Sequence, residues 1–310
     1  MAGPGGTVEL ISVQRIWDEA PHNAFTDLTR YQERWWCTFR EGGAHASDWG
    51  NLRVIVSEDG ESWDSAALVE MEGFDLRDPK LSVTPDGLLM LLAGARDWRE
   101  DDRGPLTSNS WFSDDGHQWR GPWEIADGNV WLWRVTWHKG TGWGMGYGCG
   151  EGRFVTLYRS RCGRVFETVA PRAYDEGYPN ETRLLFLDDD TALCLLRMDG
   201  EGATAQLGTA TPPYEQWQWQ DLGVKLGGPD MIQLPDGRFL AGGRLYDEPV
   251  RTSLLWLDPE QGTLTDILDL PSGGDTSYPG FVYHDGLVWM SYYSSHEERT
   301  SIYLARLRVD

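Results

Sequence analysis

The sequence has no long hydrophobic run and little positive charge. No apolar segment approaches the roughly 18 residues that a membrane-spanning helix needs. Lys and Arg number 27 against 49 Asp and Glu, which gives a formal net charge of −22. So acidic a chain is a poor partner for nucleic acid or for an anionic membrane surface. We therefore expect neither as a partner.

Cysteines and histidines are few, and neither shows a metal-binding spacing. Cys37, Cys149, Cys162 and Cys194 form no CxxC pair, and two of them lie inside apolar runs. We therefore expect reduced, buried thiols. The six histidines are scattered without the spacing of a zinc site. The sequence thus predicts neither a metal nor a cofactor.

The first six residues contain no basic section followed by an apolar one, as a secretory signal would. As written, the sequence predicts a cytoplasmic location. A secreted or periplasmic protein is expected instead if a leader has been removed.

Aromatic residues and glycine are plentiful. The chain has 17 Trp, 12 Tyr and 9 Phe, enough for a large core, which excludes disorder. The 37 glycines and 16 prolines indicate many turns. A length of 310 residues would allow two domains. The internal repeats decide between one domain and two.

One short unit recurs six times: an apolar strand, a tight polar turn and a second apolar strand. Several of the turns carry Asp-Gly, a strong hairpin signal because both turn positions require positive φ. The turns lie about 50 residues apart, at Arg34, Gly87, Gly140, Asp190, Gly237 and Gly286.

Each unit continues with a third strand, and a ragged fourth strand usually follows. Four antiparallel strands repeated in this way are typical of a β-propeller. The last unit ends without a fourth strand, which an extra strand beginning at Thr7 can supply. We predict an all-β fold, a six-bladed β-propeller of four-stranded antiparallel blades. The N-terminal strand closes the ring, and residues 1–310 form one domain.

Two segments share the pattern Ser-x-Asp-Gly-x-x-Trp, at residues 57–63 and 113–119. Residues 160–166 are an incomplete copy of the pattern, in which Cys162 replaces the Asp. These segments resemble the Asp boxes of sialidases and other BNR-repeat propellers. In such a turn the Ser and Asp side chains bind neighbouring backbone N–H groups, while the Trp packs between strands. Their expected role is structural.

The resemblance to sialidases implies a catalytic set at the starts of the innermost strands. Tyr278, in Ser-Tyr-Pro-Gly, resembles the tyrosine nucleophile of that family, and Glu181 resembles the carboxylate that activates it. Asp48, in the loop before the first Asp box, resembles the acid/base. Arg197 and Arg251 resemble arginines that grip the sugar carboxylate.

Further polar and aromatic residues fall near the same predicted end of the propeller. Polar groups beside apolar strands are costly to bury without partners, so their convergence favours a ligand site. The expected sugar-binding residues are Arg77, Asp78, Arg134, Asp27, His45, Asp230, Arg244 and His296. Four tryptophans, Trp49, Trp98, Trp131 and Trp133, are candidates for stacking on a sugar ring. The charged loop at residues 96–103 is either a solvated flap or a rim over the site.

The sequence differs from the sialidase pattern at the first blade. Sialidases begin that blade with Arg-Ile-Pro, whereas this chain has Asp27 near the place of the arginine. A carboxylate there would repel a substrate carboxylate. A related exo-glycosidase with another sugar therefore fits as well.

The leading hypothesis is an exo-acting, retaining glycoside hydrolase with a Tyr nucleophile, acting on an acidic or related terminal sugar. Its expected partner is thus a glycan. One alternative is a polysaccharide lyase, or a hydrolase that uses paired carboxylates such as Asp27 and Glu181. Another is a non-catalytic glycan-binding propeller. The oligomeric state stays open.

Overall fold

The computed structural model describes residues 5–98 and 106–310, and the fold within them consists of strands and turns. Those residues contain no helix, and hence none that is long and apolar enough to cross a membrane. The predicted loop at residues 96–103 lies outside the described residues from residue 99 onward.

Short strands follow one another along the chain. The first thirteen are β1 (Val8–Trp17), β2 (His22–Tyr31), β3 (Arg34–Gly42), β4 (Gly50–Ser57), β5 (Asp64–Val69), β6 (Phe74–Val83), β7 (Leu89–Asp97), β8 (Leu106–Ser113), β9 (Arg120–Ile125), β10 (Val130–Leu132), β11 (Thr136–His138), β12 (Thr141–Gly148) and β13 (Val155–Ser160). The others are β14 (Glu167–Tyr174), β15 (Tyr178–Phe186), β16 (Ala192–Asp199), β17 (Gln206–Ala210), β18 (Gln218–Asp221), β19 (Leu226–Gln233), β20 (Phe239–Leu245), β21 (Arg251–Asp258), β22 (Thr263–Asp269), β23 (Thr276–His284), β24 (Leu287–Ser294) and β25 (Ser301–Val309).

Strands that are neighbours in sequence pair antiparallel within each sheet. Strands β15–β18 and β19–β22 form four-stranded sheets, and β23, β24, β25 and β1 form another. Strands β2–β5 and β6–β9 are joined into one larger sheet by a parallel bridge between Gly50 and Asp75. The predicted all-β class and antiparallel four-stranded repeat are confirmed, and the fold is consistent with a β-propeller.

The N-terminal strand lies beside the C-terminal one. Strand β1 pairs antiparallel with β25, from Val8 opposite Val309 to Trp17 opposite Ile302. The sequence predicted a strand here to complete the last sheet, and the pairing is found.

The sheet that contains β12 differs because its first strand is broken. Strands β10 and β11 both pair with β12, and the residues between them leave the ladder. Trp133 and Arg134 lie in this break and are buried. The sequence predicted the β11–β12 hairpin but not β10, because the short segment at Val130 carries no alternation that distinguishes a strand.

The turns at residues 57–63 and 113–119 have matching hydrogen bonds. Ser57 Oγ donates to Asp59 Oδ1 at 3.0 Å, and that oxygen accepts from the backbone N–H groups of Glu61 and Ser62 at 2.8 and 2.9 Å. The second turn repeats these contacts through Ser113, Asp115, His117 and Gln118. Side-chain oxygens thus take up backbone donors that the tight turn leaves unpaired.

The glycine of each turn lies against an aromatic side chain from a different four-stranded repeat. Gly60 and Gly116 have φ values of +77° and +76°. A Cβ atom on them would lie 2.6 Å from the Trp289 ring and 2.1 Å from the Trp36 ring. Glycine is therefore required both for the left-handed backbone and for the close packing.

All four cysteines are free thiols. Cys37 and Cys194 are buried, as predicted. Cys162 is exposed, so the prediction of burial is wrong there. It replaces the Asp of a surface turn, a position that is exposed in one intact copy, at Asp59, and half-buried in the other, at Asp115.

Candidate functional site

Five strands are bulged near their beginning, and the bulges bring side chains together. Two residues leave the ladder in each of β2, β6, β15, β19 and β23, at residues 25–26, 78–79, 180–181, 228–229 and 278–279. Phe25, Asp78 and Tyr278 adopt positive φ values of 63°, 51° and 55° there. Bulges redirect side chains, and left-handed residues other than glycine cluster at functional sites. These positions therefore define a candidate site.

Tyr278 and Glu181, from the bulges of β23 and β15, are joined by a buried hydrogen bond. Tyr278 Oη donates to Glu181 Oε1 at 2.5 Å. Arg197 Nη1, on β16, donates to both carboxylate oxygens at 2.9 and 3.0 Å and to Tyr278 Oη at 3.0 Å. The Gly228 backbone N–H donates to Glu181 Oε2 at 2.8 Å. We call Tyr278, Glu181 and Arg197 the Tyr278 cluster.

The environment of Tyr278 keeps its phenol protonated. Burial raises its pKa well above the ordinary value of 10, the charge of Glu181 raises it further, and Arg197 and Arg244 lower it. The phenol can therefore act as a nucleophile only if it gives up its proton as it reacts. The Glu181 carboxylate lies within reach to accept that proton.

Asp199 fixes the Arg197 guanidinium. It accepts from Arg197 Nε at 2.9 Å, and its other oxygen accepts from the Asn180 side chain at 2.6 Å. Burial lowers the pKa of Arg197, but the combined charges of Glu181, Tyr278, Tyr246 and Asp199 outweigh burial, so the net shift of the pKa is upward. Arg197 is thus a fixed, permanently charged group beside the phenol.

Arg244 is the second arginine at the site. Its Cζ atom lies 5.6 Å from the centre of the Tyr278 ring. Its Nε donates to the Thr276 carbonyl at 2.8 Å, and its Nη2 contacts Asp275 Oδ1 at 3.0 Å and Tyr293 Oη at 2.9 Å. Within residues 5–98 and 106–310, its Nη1 has no hydrogen-bond partner. That nitrogen is available to a ligand.

Asp78, at the bulge of β6, is a buried carboxyl group with an unpaired oxygen. Its Oδ1 has no hydrogen bond within the described part of the chain. Burial raises the pKa of Asp78 from 3.8 to about 7, with Lys80 lowering it and Glu181 raising it. A carboxyl group that titrates near neutral pH is suited to general acid and base catalysis.

Aromatic rings surround Tyr278. The rings of Phe25 and Trp133 lie 5.1 and 5.8 Å from it, centre to centre. Tyr147 lies 6.2 Å from Trp133 and stacks on Trp131 at 6.0 Å. Two of the predicted stacking tryptophans, Trp131 and Trp133, are therefore in this wall. Both are buried, whereas Trp49 is 39% exposed.

His45 lies beside the site with two partners that sequence reasoning did not join to it. His45 Nδ1 lies 2.7 Å from Asp275 Oδ2, and His22 Nε2 lies 3.0 Å from the same oxygen. Asp275 was missed as a functional residue. The available signal was its position three residues before Tyr278.

Three other predicted sugar-binding residues form a buried ion network with Arg183. Arg134 contacts Asp27 Oδ1 at 2.8 Å and Asp230 Oδ2 at 3.3 Å. Arg183 Nε contacts Asp230 Oδ1 at 2.9 Å. The carboxylates face these arginines, so their charge is balanced inside the protein. We call Asp27, Arg134, Arg183 and Asp230 the buried ion network.

Arg77 and Arg251 are bound by carboxylates of their own. Arg77 Nε contacts Asp75 Oδ2 at 2.5 Å, and Asp75 also pairs with the fully buried Arg40. Arg251 contacts three partly exposed carboxylates at 2.7 to 2.9 Å, those of Asp247, Asp266 and Asp269. The structure therefore brings Arg197 and Arg244, rather than Arg251, to Tyr278.

The last two predicted residues are exposed. Asp48 has no hydrogen bond or ion pair within the described residues and projects from the loop between β3 and β4. His296 contacts Ser294 Oγ at 2.9 Å in the loop between β24 and β25. Neither contacts the Tyr278 cluster.

The fold is shared with solved structures, although no protein-family model and no curated protein matches the sequence. A protein of unknown function from Dyadobacter fermentans has a TM-score of 0.87 at 19% identity, over 99% of this chain and 100% of that one. An α-L-arabinofuranosidase variant from Fusarium graminearum, in complex with an iminosugar inhibitor, has a TM-score of 0.75 at 10% identity. There the match covers 96% of this chain and 98% of the other.

A sialidase is also similar in fold. The Trypanosoma rangeli sialidase in complex with the inhibitor DANA has a TM-score of 0.67 at 12% identity. The match covers 96% of this chain but 58% of the sialidase chain. Structural neighbours thus include sialidases and arabinofuranosidases, and the likeness is one of fold.

Proposed function

We propose that this protein is an exo-acting, retaining glycoside hydrolase of the sialidase-like type. The observation that carries the proposal is the buried 2.5 Å hydrogen bond from Tyr278 to Glu181, with Arg197 donating to both groups. The fold shared with sialidases and an arabinofuranosidase supports it.

In the proposed reaction, Tyr278 Oη attacks the anomeric carbon of the terminal sugar. The phenolic proton passes to Glu181 Oε1 while the glycosidic bond breaks. Water then attacks the tyrosyl-sugar intermediate, the phenolate leaves, and Glu181 returns the proton. A neutral phenol is the better nucleophile where the substrate carries a carboxylate, because a second carboxylate would be repelled.

Asp78 is the acid/base of this proposal, in place of the exposed Asp48. With a pKa of about 7, Asp78 is partly protonated at neutral pH and can protonate the leaving oxygen. After the sugar is transferred to Tyr278, the Asp78 carboxylate takes a proton from the attacking water.

The proposed substrate is an acidic or related terminal sugar. The fixed charge of Arg197 favours a carboxylate or a hydroxyl-rich glycone, and so does Arg244 Nη1, which has no hydrogen-bond partner within the described residues. Phe25, at the bulge of β2, faces the Tyr278 ring and offers an apolar contact to the same sugar.

We also propose that six four-stranded blades form a closed ring around this site. Hydrogen bonds join successive four-stranded repeats and support this arrangement; they connect first strands except at Arg244, which lies on the second strand of its repeat. They run from Leu81 to Asp27, from Trp137 to Ser82, from Thr136 to Leu184, from Arg183 to Met231, from Arg244 to Thr276 and from Thr26 to Tyr278.

The test is hydrolysis of aryl glycosides of sialic acid, uronic acids, L-arabinofuranose and L-rhamnose. On whichever substrate is cleaved, we expect Tyr278→Phe to lower kcat/KM on the order of 10³-fold or more, because no nucleophile remains. The control is Tyr283→Phe, which removes the hydroxyl of a 39% exposed tyrosine on the same strand and leaves kcat/KM unchanged. Full activity in Tyr278→Phe would refute the mechanism.

A second candidate is a hydrolase in which Glu181 is the nucleophile and Asp78 the acid. The raised pKa of Asp78 favours it, since a protonated carboxyl group can act as the acid beside a carboxylate nucleophile. Trapping the intermediate with a fluorinated substrate and mapping the labelled peptide separates the two. A label on Tyr278 supports the first mechanism, and a label on Glu181 supports the second.

A further inference from the structure

Three metal-binding side chains from separate parts of the chain converge beside the Tyr278 cluster. His22 lies on β2, His45 in the loop between β3 and β4, and Asp275 immediately before β23. One ligand atom from each lies within 4.8 Å of the others. Both imidazoles direct a nitrogen to the same oxygen, Asp275 Oδ2, at 3.0 and 2.7 Å.

We propose that His22, His45 and Asp275 bind a divalent transition-metal ion of the zinc class. Two imidazoles and one carboxylate are a ligand set that leaves a fourth tetrahedral position open. With metal–ligand distances of about 2.0–2.2 Å, tetrahedral ligand atoms lie roughly 3.3 Å apart. The 3.0 Å separation between His22 Nε2 and Asp275 Oδ2 would widen by about 0.3 Å, and the 2.7 Å separation between His45 Nδ1 and the same oxygen by about 0.6 Å. His45 can move by that amount because its side chain is 54% exposed on a loop.

The other atoms of Asp275 are held as a metal-binding carboxylate requires. Asp275 Oδ1 accepts from Tyr293 Oη at 2.8 Å and from Arg244 Nη2 at 3.0 Å. These donors orient the carboxylate and leave Oδ2 directed towards the two histidines. Outer partners of this kind usually fix the ligands of a metal site. His22 is itself buried, with its side chain 9% exposed, so two of the three ligands are rigidly placed.

A second histidine–aspartate pair elsewhere in the protein lacks the additional histidine that the proposed metal site has. His138 Nε2 lies 2.7 Å from Asp190 Oδ1, as close as His45 lies to Asp275. Lys139 also binds the Asp190 carboxylate, so a cation is already present there. No second histidine joins this pair among the described groups. His138 is therefore the matched control.

The metal would place positive charge next to Phe25, whose ring lies 5.1 Å from both His45 and Tyr278. The open coordination position then suits a carboxylate or hydroxyl oxygen of the sugar. This assignment of a ligand rests on the proposed function, whereas binding of the metal does not.

The test is titration of untagged, chelator-treated protein with Zn²⁺ by calorimetry, and with Co²⁺ by visible absorption. We expect one ion per chain, and the absorption band of a four-coordinate cobalt ion. His45→Ala, which removes an exposed ligand without disturbing the core, should weaken Zn²⁺ binding about tenfold or more. His138→Ala should bind as the unaltered protein does.

Absence of stoichiometric binding, or unchanged affinity in His45→Ala, would overturn the proposal. Tyr278→Phe separates this result from the hydrolysis experiment, because it should lose activity and still bind one zinc ion. Zinc binding without hydrolysis would leave the metal site standing and reject the proposed function.

Discussion

Two groups of buried charges lie on the bulged strands, and they differ in how completely their carboxylates are paired. In the buried ion network, both oxygens of Asp27 have partners, Arg134 and the Leu81 backbone N–H. At the candidate site, by contrast, Asp78 keeps an oxygen without a hydrogen bond among the described residues. The paired group holds strands together. The Asp78 carboxyl group, with its unpaired oxygen, is the one to which the proposed function assigns acid and base catalysis.

Backbone strain follows the same division. Phe25, Asp78 and Tyr278, at the candidate site, have left-handed φ values, whereas Asp27 and Asp230 do not. Left-handed backbone costs energy in residues other than glycine and persists where the surroundings enforce it. Of these strained residues, Phe25 packs its ring 5.1 Å from the Tyr278 ring, centre to centre.

The largest effect on stability is expected in the buried ion network. Asp27→Ala leaves Arg134 and Arg183 to share the single remaining carboxylate of Asp230, so one buried positive charge loses its counter-charge. We expect this to cost about 3–5 kcal/mol of unfolding free energy. Urea unfolding measures it. Asp48→Ala, at an exposed aspartate, is the control and should lie within about 0.5 kcal/mol of the unaltered protein. If Asp27→Ala and Asp48→Ala lowered the unfolding free energy equally, pairing of Asp27 within the buried ion network would not be what stabilises the fold.

Substitution of Asp78 is expected to raise the free energy of unfolding, whereas substitution of Asp27 lowers it. Because its folded pKa is about 7, above the ordinary 3.8, the protein binds a proton more tightly there than the unfolded chain does. Stability from this group is present below pH 3.8 and is lost as pH rises to 7. Asp78→Asn should therefore stabilise the protein, by up to about 1.4 kcal/mol more for each pH unit across that window. Asparagine also tolerates the left-handed backbone.

Asp59→Asn is the comparison for that measurement. Backbone hydrogen bonds from Ser62 and Glu61, with the Ser57 hydroxyl, hold the pKa of Asp59 below its usual value. The stability that the ionised Asp59 carboxylate contributes is present above its ordinary pKa and is lost on acidification. Asp59→Asn should therefore destabilise the folded protein at neutral pH. Thermal unfolding of both variants at pH 5 and pH 8 checks the signs. Parallel pH trends in the two variants would contradict the pKa shift at Asp78.

The smallest effect is expected at Arg251. Its carboxylate partners are 38–69% exposed, and surface ion pairs contribute about 0.2–1 kcal/mol each. Arg251→Ala should change stability little and leave hydrolysis unchanged, whereas Arg244→Ala should raise KM. Loss of activity in Arg251→Ala alone would restore it to the sugar-binding set.

Local sequence patterns predicted much of this fold. Hairpins with Asp-Gly turns and the two Ser-x-Asp-Gly-x-x-Trp turns are determined within a few residues, by φ requirements and side chain to backbone hydrogen bonds. The resemblance to sialidases also pointed to Tyr278, Glu181 and Arg197, which the structure brings into contact.

The site residues that the sequence did not predict correctly depend on contacts between strands that are distant in the sequence. Arg244 and Arg251 both flank the turn between β20 and β21, and only the surrounding carboxylates separate a site residue from a surface residue. Asp48 and Asp78 likewise differ in burial, which no local pattern encodes. Asp275 meets His45 across 230 positions of sequence.

The bulges make the reactive groups separable from the scaffold. A bulged residue takes no part in the ladder, so exchanging its side chain alters the chemistry offered to a ligand without shifting strand register. Gly228 is the exception, because φ there is +57° and a Cβ atom would lie 2.6 Å from the Tyr278 ring. Phe25 is thus a natural position for redirecting specificity by directed evolution, with Gly228 and the proposed acid/base Asp78 held constant.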